Sequence, residues 1–221
     1  MVGANSQAKG AAIARVSQDK RVALTGGGIE IRREGKPVEN TVLRGGSVYL
    51  VVDCSDSMAG QKIDQARSGA LNFAGEALMK RYAVGLISFS SAATHICEPR
   101  EEASLVGRHL PSLKPGGSTN MAGGIELATA RLKGQPDPLA MVVITDGMPD
   151  DHGAALSAAR NAKKSGIDII TVGTDDADRS FLQKLASRSD LVVVVTRDQL
   201  GKGITSAAKM LPEGMGRFKE S

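Results

Sequence analysis

Three short polar segments carry residue types that could do chemistry together: Asp53-Cys54-Ser55-Asp56-Ser57, Gly116-Gly117-Ser118-Thr119-Asn120 and Thr145-Asp146-Gly147. Asp53, Ser55 and Ser57 alternate, so in an extended turn their side chains can converge on one point. They supply one carboxylate and two hydroxyls. Thr119 adds a third hydroxyl and Asp146 a second carboxylate. All are hard oxygen donors, a set that suits Mg2+, Mn2+ or Ca2+ better than Zn2+ or copper. Two carboxylates leave one divalent ion in a roughly neutral site. Five side chains, some acting through water, leave a position of the Mg2+ octahedron for a carboxylate from elsewhere.

Each segment also has an ordinary structural use. Ser or Asp ahead of a helix caps its free backbone N–H groups, and Thr119 could do the same. Asp146-Gly147 could be a bare turn. Asp56 reads as exposed, Asp150 and Asp151 as a capped helix start after Pro149, and Asp175, Asp176 and Asp178 as a solvated acidic loop. Cys54 reads as a buried small hydrophobe. His95, His109 and His152 show no ligand spacing, which argues against zinc.

The elements around these segments say where they must lie. Val48–Val52 is a continuous apolar, β-rich run of the kind buried on both faces of a parallel sheet. Helical spacing of Ile63, Ala66, Ala70, Phe73 and Ala77 predicts a helix over Gln61–Met79. Strands are predicted at Ala83–Phe89, Thr94–Cys97, Leu139–Thr145, Ile167–Val172 and Leu191–Val195. Further helices are predicted at Ser104–Leu113, Met121–Leu132, Ala154–Ser165, Arg179–Ser187 and Gln199–Leu211. Alternating strands and helices make an α/β fold: a doubly wound, mostly parallel sheet with helices on both faces, a Rossmann-like three-layer sandwich. In such sheets ligands bind at the carboxyl ends of the strands, near the point where strand order reverses. Two of the polar segments directly follow predicted strands and the third opens a predicted helix, so all three lie where such a sheet gathers its loops.

The chain has 221 residues and a formal net charge of +4, unevenly spread. Residues 1–47 carry eight Lys/Arg against four Asp/Glu, residues 48–196 carry 15 against 17, and residues 197–221 carry five against three. The basic ends read as solvated tails. We expect an N-terminal basic extension over 1–46, partly flexible, a main domain over 47–211 and a tail over 212–221. Residues 1–20 are small and polar, a weak helix or an arm without fixed structure. The runs flanking Thr25-Gly26-Gly27-Gly28 suggest a hairpin or edge strands. Aromatics are 3% with no Trp, which argues against a nucleic-acid platform built on stacking rings. Cys54 and Cys97 are too few for a disulfide framework and point to free thiols in a reducing compartment. No stretch approaches the ~20 apolar residues of a membrane span, nor does the N-terminus have a signal peptide's apolar run, so the expected location is cytoplasmic.

Asp-x-Ser-x-Ser after a hydrophobic strand, Gly-Gly-Ser-Thr-Asn downstream and Thr-Asp-Gly after a later strand resemble the metal-ion-dependent adhesion site (MIDAS) of von Willebrand factor A (VWA) domains, of an intracellular prokaryotic type. The resemblance covers about residues 47–211. It implies that Ser55, Ser57 and Thr119 ligate by hydroxyl, Thr119 directly or through water, and that Asp53 and Asp146 ligate or hold coordinated waters. It also implies a non-enzymatic interaction module whose protein partner presents an Asp or Glu carboxylate as the last ligand. A ring ATPase of the AAA+ type, or a complex-assembly system, is one such setting by analogy. A shift of the last helix on partner binding would follow the same analogy. The alternative is a Mg2+-dependent phosphotransfer or phosphatase-type enzyme using Asp53, but that pattern wants a second Asp where Ser55 stands. A nucleotide-binding Rossmann sheet would want G-x-G-x-x-G after the first strand, which is missing here.

Overall fold

The computed structural model describes residues 45–212 in full, together with the backbone of three strands nearer the N-terminus. The chain forms two units, Met1–Leu43 and Arg44–Ser221.

In the first unit, β1 (Ile13–Ser17), β2 (Lys20–Thr25) and β3 (Gly28–Arg32) form an antiparallel sheet in the order β1-β2-β3. Leu24 pairs with Ile29 and Thr25 with Gly28, the tight register expected of runs joined at a glycine pair. A strand at Ile13–Ser17 differs from the weak helix or arm expected over residues 1–20. Ile13 and Val16 are β-branched, and pairing with β2 satisfies a backbone that local composition left undecided.

In the second unit, six strands form one sheet in the order β6-β5-β4-β7-β8-β9. These are β4 (Ser47–Asp53), β5 (Ala83–Phe89), β6 (Ala93–Arg100), β7 (Leu139–Thr145), β8 (Ile167–Thr174) and β9 (Val192–Val195). All neighbours pair in parallel except β5 and β6. Only Ser90–Ala92 joins β5 to β6, too short for a crossover, so β6 returns antiparallel as an edge strand. The chain winds from β4 to one side, then crosses to β7 and winds to the other. The crevice above β4 and β7 is therefore the point where strand order reverses.

The helices are α1 (Gln61–Met79), α2 (Ala103–His109), α3 (Met121–Leu132), α4 (His152–Lys164), α5 (Arg179–Leu185) and α6 (Leu200–Ala207). Alternate residues of β4 feed two cores. Val48, Leu50 and Val52 pack with residues of α1, α2 and α6, while Tyr49 and Val51 pack with residues of α3, α4 and α5. That two-sided burial is why the strand reads as an unbroken apolar run. Where α1 meets α6, a Cβ on Gly69 would lie 2.7 Å from the Gly201 carbonyl oxygen, so the absence of a side chain permits the approach.

Three helices are shorter than their apolar spacing predicts. Proline accounts for α2: Pro111 lacks an N–H, and Leu110–Ser112 tightens into a 3-10 turn. α6 likewise passes into a 3-10 turn at Ala208–Met210, and Leu211 ahead of Pro212 turns extended. α5 stops at Leu185 with Ala186 extended, and Ser187 turns back to bond to Ile169 on β8.

Candidate metal centre

β4 ends at Asp53, and the chain then turns through a 3-10 segment, Asp56–Met58, before α1 begins. The Gly116–Asn120 loop lies against this turn: the Gly116 N–H donates to the Cys54 carbonyl at 2.8 Å and the Asp56 N–H to the Gly117 carbonyl at 3.0 Å. Gly117 adopts φ 87°, the left-handed region that favours glycine, and a Cβ there would sit 2.5 Å from Ser91 Oγ. β7 ends beside β4 and delivers Thr145 and Asp146. The three segments singled out by residue type thus meet at one end of the sheet.

Four of the five expected ligands form one hydrogen-bonded chain. Asp53 Oδ1 accepts from the Ser55 N–H at 2.8 Å, Ser55 Oγ and Ser57 Oγ are 3.0 Å apart, and Ser57 Oγ donates to Asp146 Oδ1 at 2.8 Å. Asp53 and Asp146 are buried and Ser57 is exposed. Thr119 stands outside that chain and is fixed through its backbone: its N–H donates to both oxygens of Asp150 at 3.0 Å, and its carbonyl accepts from the Asp150 N–H at 3.0 Å.

The expected ligands do not cap the helices that follow them. The 3-10 turn starts at Ser55 without a side-chain cap, and α1 starts at Gly60 without one. Asn120, not Thr119, caps α3 by accepting from the Gly123 N–H. Asp151 caps α4 and Asp178 caps α5. The oxygens of Asp53, Ser55 and Ser57 are therefore not spent on helix ends.

Burial pushes the Asp53 carboxyl above the usual carboxylate range, against the lowering effect of hydrogen bonds from Ser55 and from Thr145, whose Oγ1 donates to Asp53 Oδ2 at 2.7 Å. Both oxygens of Asp53 are thus engaged by neutral donors. Cys54 is buried, which holds its thiol up at about 12, so it packs as a small hydrophobe.

Four side chains outside the expected ligand set shape the site. Thr145 braces Asp53. Asp150 braces Thr119 rather than capping a helix, and hydrogen bonds from the Ser118 side chain and then the Thr119 N–H hold its carboxyl below the usual range. Lys62, in the first turn of α1, is hydrogen-bonded to Asp146 Oδ2 and lies 3.7 Å from Asp176 Oδ2. Arg197 grips Asp176 through Nε and Nη2, both at 2.6 Å. Asp176 is therefore an ion-pair partner and not simply part of a solvated loop. The available signal for Lys62 was its position: a cation in a helix's first turn runs against the helix dipole and needs a nearby anion.

Among the described residues, no three His, Cys, Asp or Glu side chains cluster closely enough to hold a metal by themselves. A cation here would depend on the hydroxyls as much as on the carboxylates. Two buried carboxylates linked by hydroxyl groups, with no imidazole or thiolate in the chain of bonds, fit a hard divalent ion.

Residues 47–207 match the von Willebrand factor type A domain. A 60 kDa magnesium-chelatase subunit of Rhodobacter capsulatus is 28% identical over 158 residues, covering 65% of this chain and 28% of the relative. The chain spans less than half the length of the curated relatives it matches. Among solved structures, the vWF domain of the type V pili tip protein Mfa5 from Porphyromonas gingivalis superposes with a TM-score of 0.69 at 14% identity, covering 80% of this chain and 98% of that one. Proximal thread matrix protein 1 of the mussel byssus, with a zinc-occupied MIDAS motif, gives 0.64 at 17% identity, covering 76% and 46%.

Proposed function

The chain belongs to the von Willebrand factor type A domain family, whose members are protein-interaction modules, and from that premise we propose that it binds a protein partner through a divalent cation held by Asp53, Ser55, Ser57, Thr119 and Asp146. The observation that carries this reading is the pair of buried carboxylates at the ends of β4 and β7, joined through Ser55 and Ser57. The ion is Mg2+, with Mn2+ or Ca2+ as substitutes, because every donor is a hard oxygen. When bound, it supplies a Lewis-acidic position for a partner's Asp or Glu carboxylate.

The chain's own residues do the rest. Ser55 and Ser57 turn their hydroxyls toward the same space as the two carboxylates. Asp150 fixes the Thr119 backbone, and the loop contacts to Cys54 and Asp56 hold that loop against the β4 turn. Asp53 serves here as a brace or ligand and not as a phosphoryl acceptor, since Ser55 stands where the phosphotransfer pattern wants a second Asp. The similarity to a magnesium-chelatase subunit supports a setting in a multisubunit assembly, with an AAA+ ring ATPase as the partner to test first. Two free buried thiols support a cytoplasmic location, and among the described residues no helix is long and apolar enough to cross a membrane.

The test is isothermal titration of metal-free protein with Mg2+ and Mn2+, beside Asp53→Ala and Asp146→Ala, with circular dichroism to establish folding. Saturable binding by the wild type that weakens by about a hundredfold or more in both folded variants is expected. Unchanged binding in both variants sinks the site. Covalent labelling of Asp53 by acetyl phosphate would transfer the reading to the phosphotransfer class.

A further inference from the structure

Lys62 is the one described cation that touches an expected metal ligand. Its ammonium meets Asp146 Oδ2, while the side chain of Asp146 is wholly buried and that of Lys62 is 16% exposed. A second acceptor, Asp176 Oδ2, lies 3.7 Å away on the solvent side, held by the Arg197 fork at 2.6 Å through each nitrogen. Lysine carries its charge on a flexible four-carbon stem, so its ammonium has a docked position on Asp146 and a nearby acceptor to move toward. Lys62 occupies Asp146 Oδ2 while Ser57 engages Oδ1, so an ion on the Ser57 side would share the carboxylate with the ammonium, and the two cations repel each other across it.

We propose that Lys62 is a tethered cation that competes with the divalent ion for Asp146, so that metal entry displaces its ammonium from Asp146 toward Asp176. The inference rests on the metal-binding reading above. It makes the affinity of the site a difference between two cations: Lys62 neutralises Asp146 when no ion is bound, and opposes the ion that arrives. Asp176 and Arg197 act in this picture as the receiving end. Arg197 orients the Asp176 carboxylate, whose negative charge lowers the cost of releasing Lys62.

The experiment is calorimetric titration of the full chain with Mg2+, comparing wild type, Lys62→Met, Lys62→Arg and Asp146→Ala. Methionine keeps much of the stem's length and removes the charge. Lys62→Met is expected to bind Mg2+ about tenfold more tightly than wild type, and Lys62→Arg to stay within about threefold of it. Equal or weaker binding by folded Lys62→Met, with Mg2+ still bound by wild type, overturns the competition while leaving the metal site standing. Binding by none of the proteins overturns the metal site and the competition with it. Should Lys62→Met fail to fold, acylation of Lys62 by acetic anhydride, followed by peptide mass spectrometry, reads the same event in wild type. Labelling that rises with Mg2+ supports displacement, and labelling indifferent to saturating Mg2+ overturns it.

Discussion

Asp53 and Asp146 end neighbouring strands and are both buried, yet they are held in opposite ways. Asp53 is gripped by the framework: the Ser55 backbone N–H at 2.8 Å and the fully buried Thr145 hydroxyl at 2.7 Å. Both donors are neutral, and neither can leave without disturbing the strand ends. Asp146 is gripped by the surface: the hydroxyl of exposed Ser57 at 2.8 Å and the ammonium of Lys62. Those donors are mobile side chains, one of them exposed, and not backbone or a buried strand residue. One carboxylate is built into the fold, and the other is lent partners that can be exchanged. A site that must admit an ion and a partner needs both: a fixed reference and an adjustable half.

The largest effect should come from the fixed half. Thr145→Val keeps the side chain's shape and removes the donor to Asp53 Oδ2, leaving a buried carboxylate oxygen short of a hydrogen bond. The expected cost is about 2–3 kcal/mol, read as a lower urea midpoint at unchanged slope. A loss below about 0.5 kcal/mol would break the contrast, because Asp53 would then be as replaceable in its partners as Asp146.

A middle-sized effect is expected at the loop that bridges the two halves. Gly117→Ala places a Cβ 2.5 Å from Ser91 Oγ at φ 87°, and Ser91 Oγ is the acceptor for the Ser118 N–H at 3.0 Å. Strain of this kind costs about 1–3 kcal/mol when the loop stays in place. The loop can instead lift, which carries Thr119 away from Asp53 and Asp146. Differential scanning calorimetry with and without Mg2+ separates the two: a metal-dependent rise in Tm that shrinks relative to wild type reports a displaced Thr119.

The same contrast explains what was legible before any coordinates. The α1 boundaries, Gln61–Met79, follow from helical spacing, and β4, β5 and β7 from apolar runs, because burial leaves a periodic record in residue type. That the three polar segments would meet was legible because two of them directly follow β4 and β7, and parallel sheets gather their loops at that end; the third lies in the loop ahead of α3 and packs against the β4 turn. The bracing residues left no such record. Thr145 looks like any strand-ending threonine until β4 and β7 are known to be neighbours. Asp150 looks like a helix cap and Asp176 like a solvated carboxylate until loops distant in sequence are brought against them. Lys62 and Arg197 meet Asp176 through residues 62, 176 and 197, a juxtaposition only the tertiary fold creates. The early strand Ile13–Ser17 was missed for a related reason: its pairing with β2, more than its own composition, defines it.

The smallest effect on stability, and the sharpest use of the comparison, belongs to Ser57→Ala. It removes the hydroxyl that donates to Asp146 Oδ1 and lies 3.0 Å from Ser55 Oγ. Ser57 is exposed, so water takes over as donor and the folded state should lose no more than about 0.5 kcal/mol in urea. Metal affinity should still fall by about tenfold, because a solvating water restores a hydrogen bond to Asp146 but not an oxygen fixed on the protein. Thr145→Val and Ser57→Ala each delete one donor to one carboxylate. Loss of stability in the first and loss of affinity with stability retained in the second would separate what holds the site together from what the site holds.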